Sequence, residues 1–279
     1  MSEIRPGAHH LSHAYAEVPE SAADGDVAAT YSDIRRVHGT SSVALVYRVL
    51  ATKPGRLEHV WKTIAPNLRT AELPTWTHSF AQLNLGTVKP LPARLLLDVG
   101  LDAEATVATL AEFRDVNSLN LLGLLSLIHG AQGGSTPAPI RASRPAPRRT
   151  LPMADLATLP SGTAQLLDRM SAAIVGSEIP ILIPSLFRCF AQSEQVLELV
   201  WRGIAPSVRS PEFATVVDSI LAHARATSGA MPFRVAALDD GETREIVARF
   251  CSAIPRMIVA GALLERTLSE LIAPRIRQP

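Results

Sequence analysis

The stretch from Val43 to Thr70, VALVYRVLATKPGRLEHVWKTIAPNLRT, recurs later in the chain as Ile183 to Ser210, IPSLFRCFAQSEQVLELVWRGIAPSVRS. The two segments align without a gap at a constant offset of 140 residues, and ten of their 28 positions are identical. The identical pairs include Arg48/Arg188, Trp61/Trp201 and Pro66/Pro206. A repeat of this length indicates a chain built from two copies of one structural unit.

The repeated unit has the spacing of an amphipathic helix. Leu57, Val60, Trp61 and Ile64 recur every three or four residues, which is the helical period. The same spacing predicts further helices at Val43–Thr52, Thr106–Ile128, Thr163–Val175, Glu194–Ile204 and Thr243–Ile272, the last of them kinked or broken at Pro255. We expect an all-α fold in which Trp61 and Trp201 occupy equivalent core positions.

A proline- and arginine-rich segment separates the two copies. We therefore divide the chain into an N-terminal arm (1–28), a first helical repeat (29–132), a linker (133–152) and a second helical repeat (153–279). Two similar helical bundles of this kind are expected to form an intramolecular pseudo-dimer. A small-molecule pocket is expected where the two halves meet.

Composition excludes several classes of protein. Lys and Arg number 27 and Asp and Glu number 26, a formal net charge of +1. Binding to nucleic-acid phosphates requires a basic excess that this chain lacks. The longest apolar stretch, Leu119–Ile128, is well short of the ~20 residues that cross a bilayer. We expect a cytoplasmic protein, with buried, reduced Cys189 and Cys251, that binds neither nucleic acid nor a membrane; whether it forms a homodimer is left open.

Two motifs in the first half are those of a known family. The segments Tyr31-Ser-Asp-Ile-Arg35 and Arg48-Val-Leu-Ala-Thr-Lys-Pro-Gly55, followed by Trp61, resemble the group I 2-haloacid dehalogenases. The resemblance extends over Phe113–Leu125 and Ser185–Pro206, and so reaches both halves of the chain. It implies an all-helical pseudo-dimer that works without a cofactor or a metal.

The resemblance also implies a reaction and the residues that perform it. In that family, water attacks the α-carbon of a 2-halocarboxylic acid and displaces halide directly. The Asn that holds the water matches Asn117, and the Ser that receives the substrate carboxylate matches Ser185. The Asp that acts as base matches Leu186, which cannot accept a proton.

Other pocket positions also depart from the family. Aliphatic side chains are expected at the pocket wall, from Leu45, Val46, Leu186 and Ile254. Glu72 and Glu178 are the candidate substitutes for the missing acid. Asn117 is a candidate site residue without the resemblance as well, because a buried amide in an apolar helix face must find hydrogen-bond partners.

Three functions remain open at this point. The first is a dehalogenase-type enzyme that acts on a 2-halocarboxylic acid. The second is a diverged relative that catalyses elimination, isomerisation or cyclisation of a carboxylic acid or apolar metabolite without a cofactor. The third is a protein that binds a small molecule without converting it.

Overall fold

A computed structural model of the chain describes residues 14–70, 85–134, 140, 149–178 and 180–276. These residues form eleven α-helices and two single-turn 3₁₀ helices, and none of them belongs to a β-strand. The predicted all-α class is therefore confirmed. The helices are α1 (Gly25–His38), α2 (Leu45–Leu50), α3 (Arg56–Leu68), α4 (Ala93–Asp98), α5 (Ala103–His129), α6 (Ser161–Val175), α7 (Ser185–Phe190), α8 (Glu194–Val208), α9 (Pro211–Gly229), α10 (Gly241–Thr267) and α11 (Ser269–Ile276).

Local sequence explains where the main helices begin and end. The Asp102 side chain accepts a hydrogen bond from the Ala105 backbone N–H at 3.0 Å and so caps the start of α5. Gly130 ends the same helix with a positive φ of 78°, a conformation that suits glycine. The Ser193 side chain caps α8 in the same manner as Asp102 caps α5.

The helix bounds follow the offsets seen in the sequence. Both ends of α2 and α7 differ by 140 residues, and α3 and α8 end at positions 68 and 208. The long helices α5 and α10 each contain 27 residues and begin after an aspartate. The pseudo-dimer stays a prediction that these bounds support.

The two long helices form the centre of the molecule. α5 and α10 make the largest helix–helix contact, and one continuous hydrophobic core surrounds them. α10 is long and apolar enough to span a membrane, but 61% of its most apolar window is buried inside the protein. We refer below to residues 14–134 as the first half and to residues 149–276 as the second half.

Part of the predicted N-terminal arm is tied to both halves. The backbone N–H of Tyr15 donates to Ile181 O at 3.3 Å, and that of Val18 donates to Arg48 O at 3.0 Å. The arm also includes the start of α1, because this helix begins at Gly25. Residues 14–18 therefore bond both to Arg48 within the first half and to Ile181 of the second half.

Two of the predicted helix ends were wrong. α10 runs from Gly241 to Thr267 through Pro255 without a break, and a separate helix, α11, follows Leu268. The segment Val43–Thr52 is helical only over Leu45–Leu50. A proline removes one backbone hydrogen bond, and the buried side chains on either side of Pro255 keep the helix in place.

The two repeat-related tryptophans have different surroundings, contrary to expectation. Trp61 is 5% exposed, donates to an Asp33 carboxylate oxygen at 2.8 Å and lies edge-on to Tyr47. Trp201 is only half-buried, and the Arg209 guanidinium lies 5.6 Å from its ring centroid. The two positions therefore differ in how much buried contact each indole makes.

This difference gives a stability prediction. Trp61→Ala is expected to lower the free energy of unfolding by about 3–5 kcal/mol, because it empties a buried aromatic site. Trp201→Ala is expected to cost clearly less, since water already reaches that ring. Urea denaturation of the two variants measures both values, and equal losses would contradict the difference in burial.

Candidate functional site

A cavity of about 70 Å³ lies between the two halves of the chain. Its walls come from the segment 42–46 that enters α2, one face of α5, the segment 182–186 that enters α7, and α10. A single water needs roughly 10–15 Å³ of such space, so the cavity can hold a small organic molecule.

One face of α5 supplies the polar side of this cavity. The residues of that face are Glu112, Phe113, Val116, Asn117 and Asn120. At 3.6 residues per turn, these five positions fall within an arc of about 140° around the helix axis. One glutamate and two asparagines of a single helix therefore line one space.

Aliphatic side chains cover the opposite wall. The structure brings Leu45, Val46, Leu186 and Ile254 to the same cavity. Val46 is 2% exposed and Leu186 is 1% exposed, so both side chains belong to the core as well as to the cavity wall. Leu186, the position that the resemblance matches to the base Asp, is thus a buried leucine without a proton-accepting group.

The two asparagines of α5 differ in their partners. The Asn120 side-chain oxygen accepts a hydrogen bond from the Tyr47 hydroxyl at 2.9 Å, and Asn120 is 1% exposed. Asn117 is half-buried, lines the cavity and makes no side-chain hydrogen bond with any residue of the described ranges. The Asn117 amide can therefore both donate to and accept from a molecule in the cavity.

Ser185 lies at the first position of α7 and also lines the cavity. The Arg48 guanidinium donates from Nη2 to Ser185 Oγ at 3.4 Å, and Arg48 is 3% exposed. This contact joins a residue of the first half to one of the second. It leaves the hydroxyl proton of Ser185 free to be donated to a ligand oxygen.

The positive charge beside Ser185 is only partly neutralised. Arg48 Nε lies 2.8 Å from one Glu17 carboxylate oxygen, and Arg188 Nη1 lies 3.2 Å from the other. Burial lowers the pKa of Arg188, and the Glu17 carboxylate partly offsets this effect. Two guanidinium groups share one carboxylate here, so a net charge of +1 remains next to the Ser185 hydroxyl.

Glu178, one of the two predicted substitute acids, does not line the cavity. Glu178 is highly exposed, with 83% of its side-chain surface accessible, and its carboxylate lies 3.6 Å from Arg249 Nε. Glu178 is therefore wrong as a candidate acid for this cavity. Glu72 lies outside the described residues.

The acid that does line the cavity, Glu112, was missed by the sequence analysis. Its carboxylate accepts hydrogen bonds from the Ser41 backbone N–H at 3.1 Å and from the Ser41 hydroxyl at 3.0 Å. Burial raises the pKa of Glu112, and these hydrogen bonds oppose the rise. The sequence signal was weak: Glu112 lies five residues before Asn117 and about 140° away from it around the helix axis.

The two cysteines are buried and free, and burial raises the pKa of each thiol to about 12. A thiol with this pKa stays protonated at neutral pH and is a poor nucleophile. Within the described ranges, no group of three or more His, Cys, Asp or Glu side chains could hold a metal ion.

Together, the fold and the cavity define an all-helical protein with a small, mostly apolar site between its two halves. The site offers an unpaired amide, a hydroxyl beside a buried guanidinium, and one carboxylate. No family model and no curated protein sequence matches the chain.

Solved structures of D-2-haloacid dehalogenases share this fold. A mutant complexed with D-2-CPA has a TM-score of 0.79 at 16% identity, over 92% of this chain and 97% of that one. A complex with L-LA has a TM-score of 0.77 at 16% identity, over 94% of this chain and 97% of that one. A further mutant structure gives 0.75 at 17% identity, over 94% and 97%. The resemblance to 2-haloacid dehalogenases is thus confirmed at the level of the fold, and two of these structures are complexes, with D-2-CPA and with L-LA.

Proposed function

We propose that the chain is a cofactor-independent enzyme that hydrolyses a small 2-halocarboxylic acid in the cavity between its halves. The observation that carries the proposal is the cavity itself, which brings Asn117 and Ser185 from opposite halves to one space. The shared fold of dehalogenases that bind small carboxylic acids supports the same conclusion.

Each polar group has a role in this proposal. The Ser185 hydroxyl donates to the substrate carboxylate, and the net positive charge of the arginine pair stabilises that anion. The Asn117 amide holds a water molecule beside the α-carbon. The water oxygen forms a bond to that carbon and gives up one proton to a base, the carbon–halogen bond breaks, and the halide leaves with the bonding electrons.

The aliphatic wall favours the second candidate function, a diverged enzyme with different chemistry. Leu186 and Ile254 stand where the resembled family has an acid and an aromatic side chain. A cavity wall with more apolar side chains suits a more apolar carboxylic acid. Halide release from each enantiomer of 2-chloropropionate, without added metal or nucleotide, distinguishes the two candidates, because only the first produces halide.

Ser185→Ala should weaken the binding of propionate about tenfold to a hundredfold. A hydrogen bond to a charged group is worth about 1.5–3 kcal/mol, and each 1.4 kcal/mol changes the dissociation constant tenfold. NMR titration measures the constant. Ser118→Ala is the matched control: Ser118 is buried on α5, donates to Arg114 O at 2.9 Å and does not line the cavity. Equal constants for the unmodified protein and Ser185→Ala would contradict the proposed role.

A further inference from the structure

Glu112 is the one ionisable side chain among the described residues that line the cavity. Every other side chain of that lining is aliphatic, aromatic, an amide, a hydroxyl, a thioether or a proline ring. Water held in this space therefore meets one group that can take its proton within the part of the chain that the structure describes.

Glu112 and Asn117 line the same cavity from positions about one and a half turns apart on α5. Glu112 and Asn117 are five residues apart, which is about 7.5 Å along the helix axis. A water that accepts from one group and donates to the other needs roughly 5.6 Å between the two partners, at ordinary hydrogen-bond lengths of about 2.8 Å. Both residues line the same cavity, so a proton passes between their groups through one water where the side chains converge to that span, and through a second water where they do not.

The Glu112 carboxylate is held in place without being neutralised. Ser41 donates to it from both its backbone N–H and its hydroxyl, and the Ser41 hydroxyl also lies 3.1 Å from Thr150 Oγ1. None of the ion pairs among the described residues includes Glu112. A positioned carboxylate without a cationic partner keeps its affinity for a proton, which a base requires.

A second cavity lies beside the first and shares part of its wall. It has a volume of about 150 Å³ and shares Ser42, Glu112 and Phe113 with the first cavity. Its remaining described walls come from Ser41, Cys189 and the segment 150–153. Glu112 therefore stands at the junction of the two spaces, and burial keeps the Cys189 thiol neutral there.

We propose that Glu112 is the general base of this site and replaces the aspartate whose position is occupied by Leu186. This inference rests on the proposed function. As the water oxygen bonds to the α-carbon, Glu112 takes one water proton, halide leaves with its electron pair, and a 2-hydroxy acid forms. The protonated Glu112 then returns the proton to solvent through the second cavity.

The test compares Glu112→Gln with Glu265→Gln in the full chain. Glu265 is the matched control, because it is also a half-buried glutamate with a pKa raised by burial, but it pairs with Arg114 and does not line the cavity. We expect Glu112→Gln to lower the rate of halide release about 10²–10⁴-fold. It should still bind propionate at least as tightly as the unmodified protein, since a like charge is removed. Glu265→Gln should keep both properties.

Each other outcome has a defined meaning. If the unmodified protein does not bind propionate, the proposed function fails, and the inference fails with it. If Glu112→Gln releases halide at the rate of the unmodified protein, the inference alone is overturned. Loss of propionate binding in Glu112→Gln, or propionate binding without halide release in the unmodified protein, also overturns the role of Glu112 as base.

Discussion

Glu17→Ala should lower the free energy of unfolding by about 3 kcal/mol, one of the largest effects expected of any single substitution in this chain. Glu17 contacts Arg48 and Arg188, whose side chains are only 4% and 10% exposed. Removal of its carboxylate leaves two guanidinium groups together in a buried space without a counter-charge. Breaking a buried ion pair by removing one partner typically costs about 3–5 kcal/mol, and the 19% exposure of the Glu17 side chain places this case at the low end.

Urea denaturation measures this loss, and Glu178→Ala provides the control. Glu178 also pairs with an arginine, but its side chain is 83% exposed, and exposed pairs contribute little to stability. A Glu17→Ala variant as stable as Glu178→Ala would show that the two arginines find other partners. It would also remove the argument that residues 14–18 hold the halves together.

Leu186→Asp is expected to restore most of the activity that Glu112→Gln loses, a gain of about 10²–10⁴-fold in halide release. Leu186 lines the same cavity as Asn117, and the resembled family has its base at this position. The apolar wall should raise the pKa of the new carboxyl, which makes it a stronger base once ionised. The substitution also removes a buried aliphatic side chain, so we expect a loss of about 2–5 kcal/mol in stability.

Leu186→Asn in the Glu112→Gln background is the matched control, because it has nearly the same shape as Asp and cannot accept the proton. The double variants are compared by the rate of halide release from 2-chloropropionate and by their melting temperatures. If Asp and Asn at position 186 give equal rates, the cavity does not perform base-assisted displacement. A cavity rebuilt for different chemistry then becomes the better account.

Helical periodicity predicted most of the fold because the apolar faces of the long helices are continuous. It did not predict α1, α4 or α9, although Ser210, Pro211 and Glu212 form a recognisable start for α9. It also joined α10 and α11 into one helix, since the turn at Leu268 is set by packing rather than by a breaker residue. Packing in the folded protein, which helical periodicity does not describe, sets where these helices begin and end.

The sequence predicted less of the candidate site than of the fold. Asn117, Ser185 and the four aliphatic positions came from the family resemblance, and all six line the cavity. Glu112 escaped notice because an acid on an amphipathic helix is normally expected to face solvent. Its place at the cavity depends on Ser41, 71 residues earlier in the chain. The role of Glu17 depends in the same way on Arg188, 171 residues away.

The most direct test of the central claim is a crystal structure of the unmodified protein with 3-bromopropionate. The bromine of this compound is not on the α-carbon, so the proposed displacement does not remove it, and its anomalous signal locates the ligand. We expect the bromine in the cavity between the halves, with the carboxylate on Ser185 and the Asn117 amide within hydrogen-bond distance of the ligand or of a water beside it. A bromine bound elsewhere, or an empty cavity at a concentration that saturates binding in solution, would contradict the account.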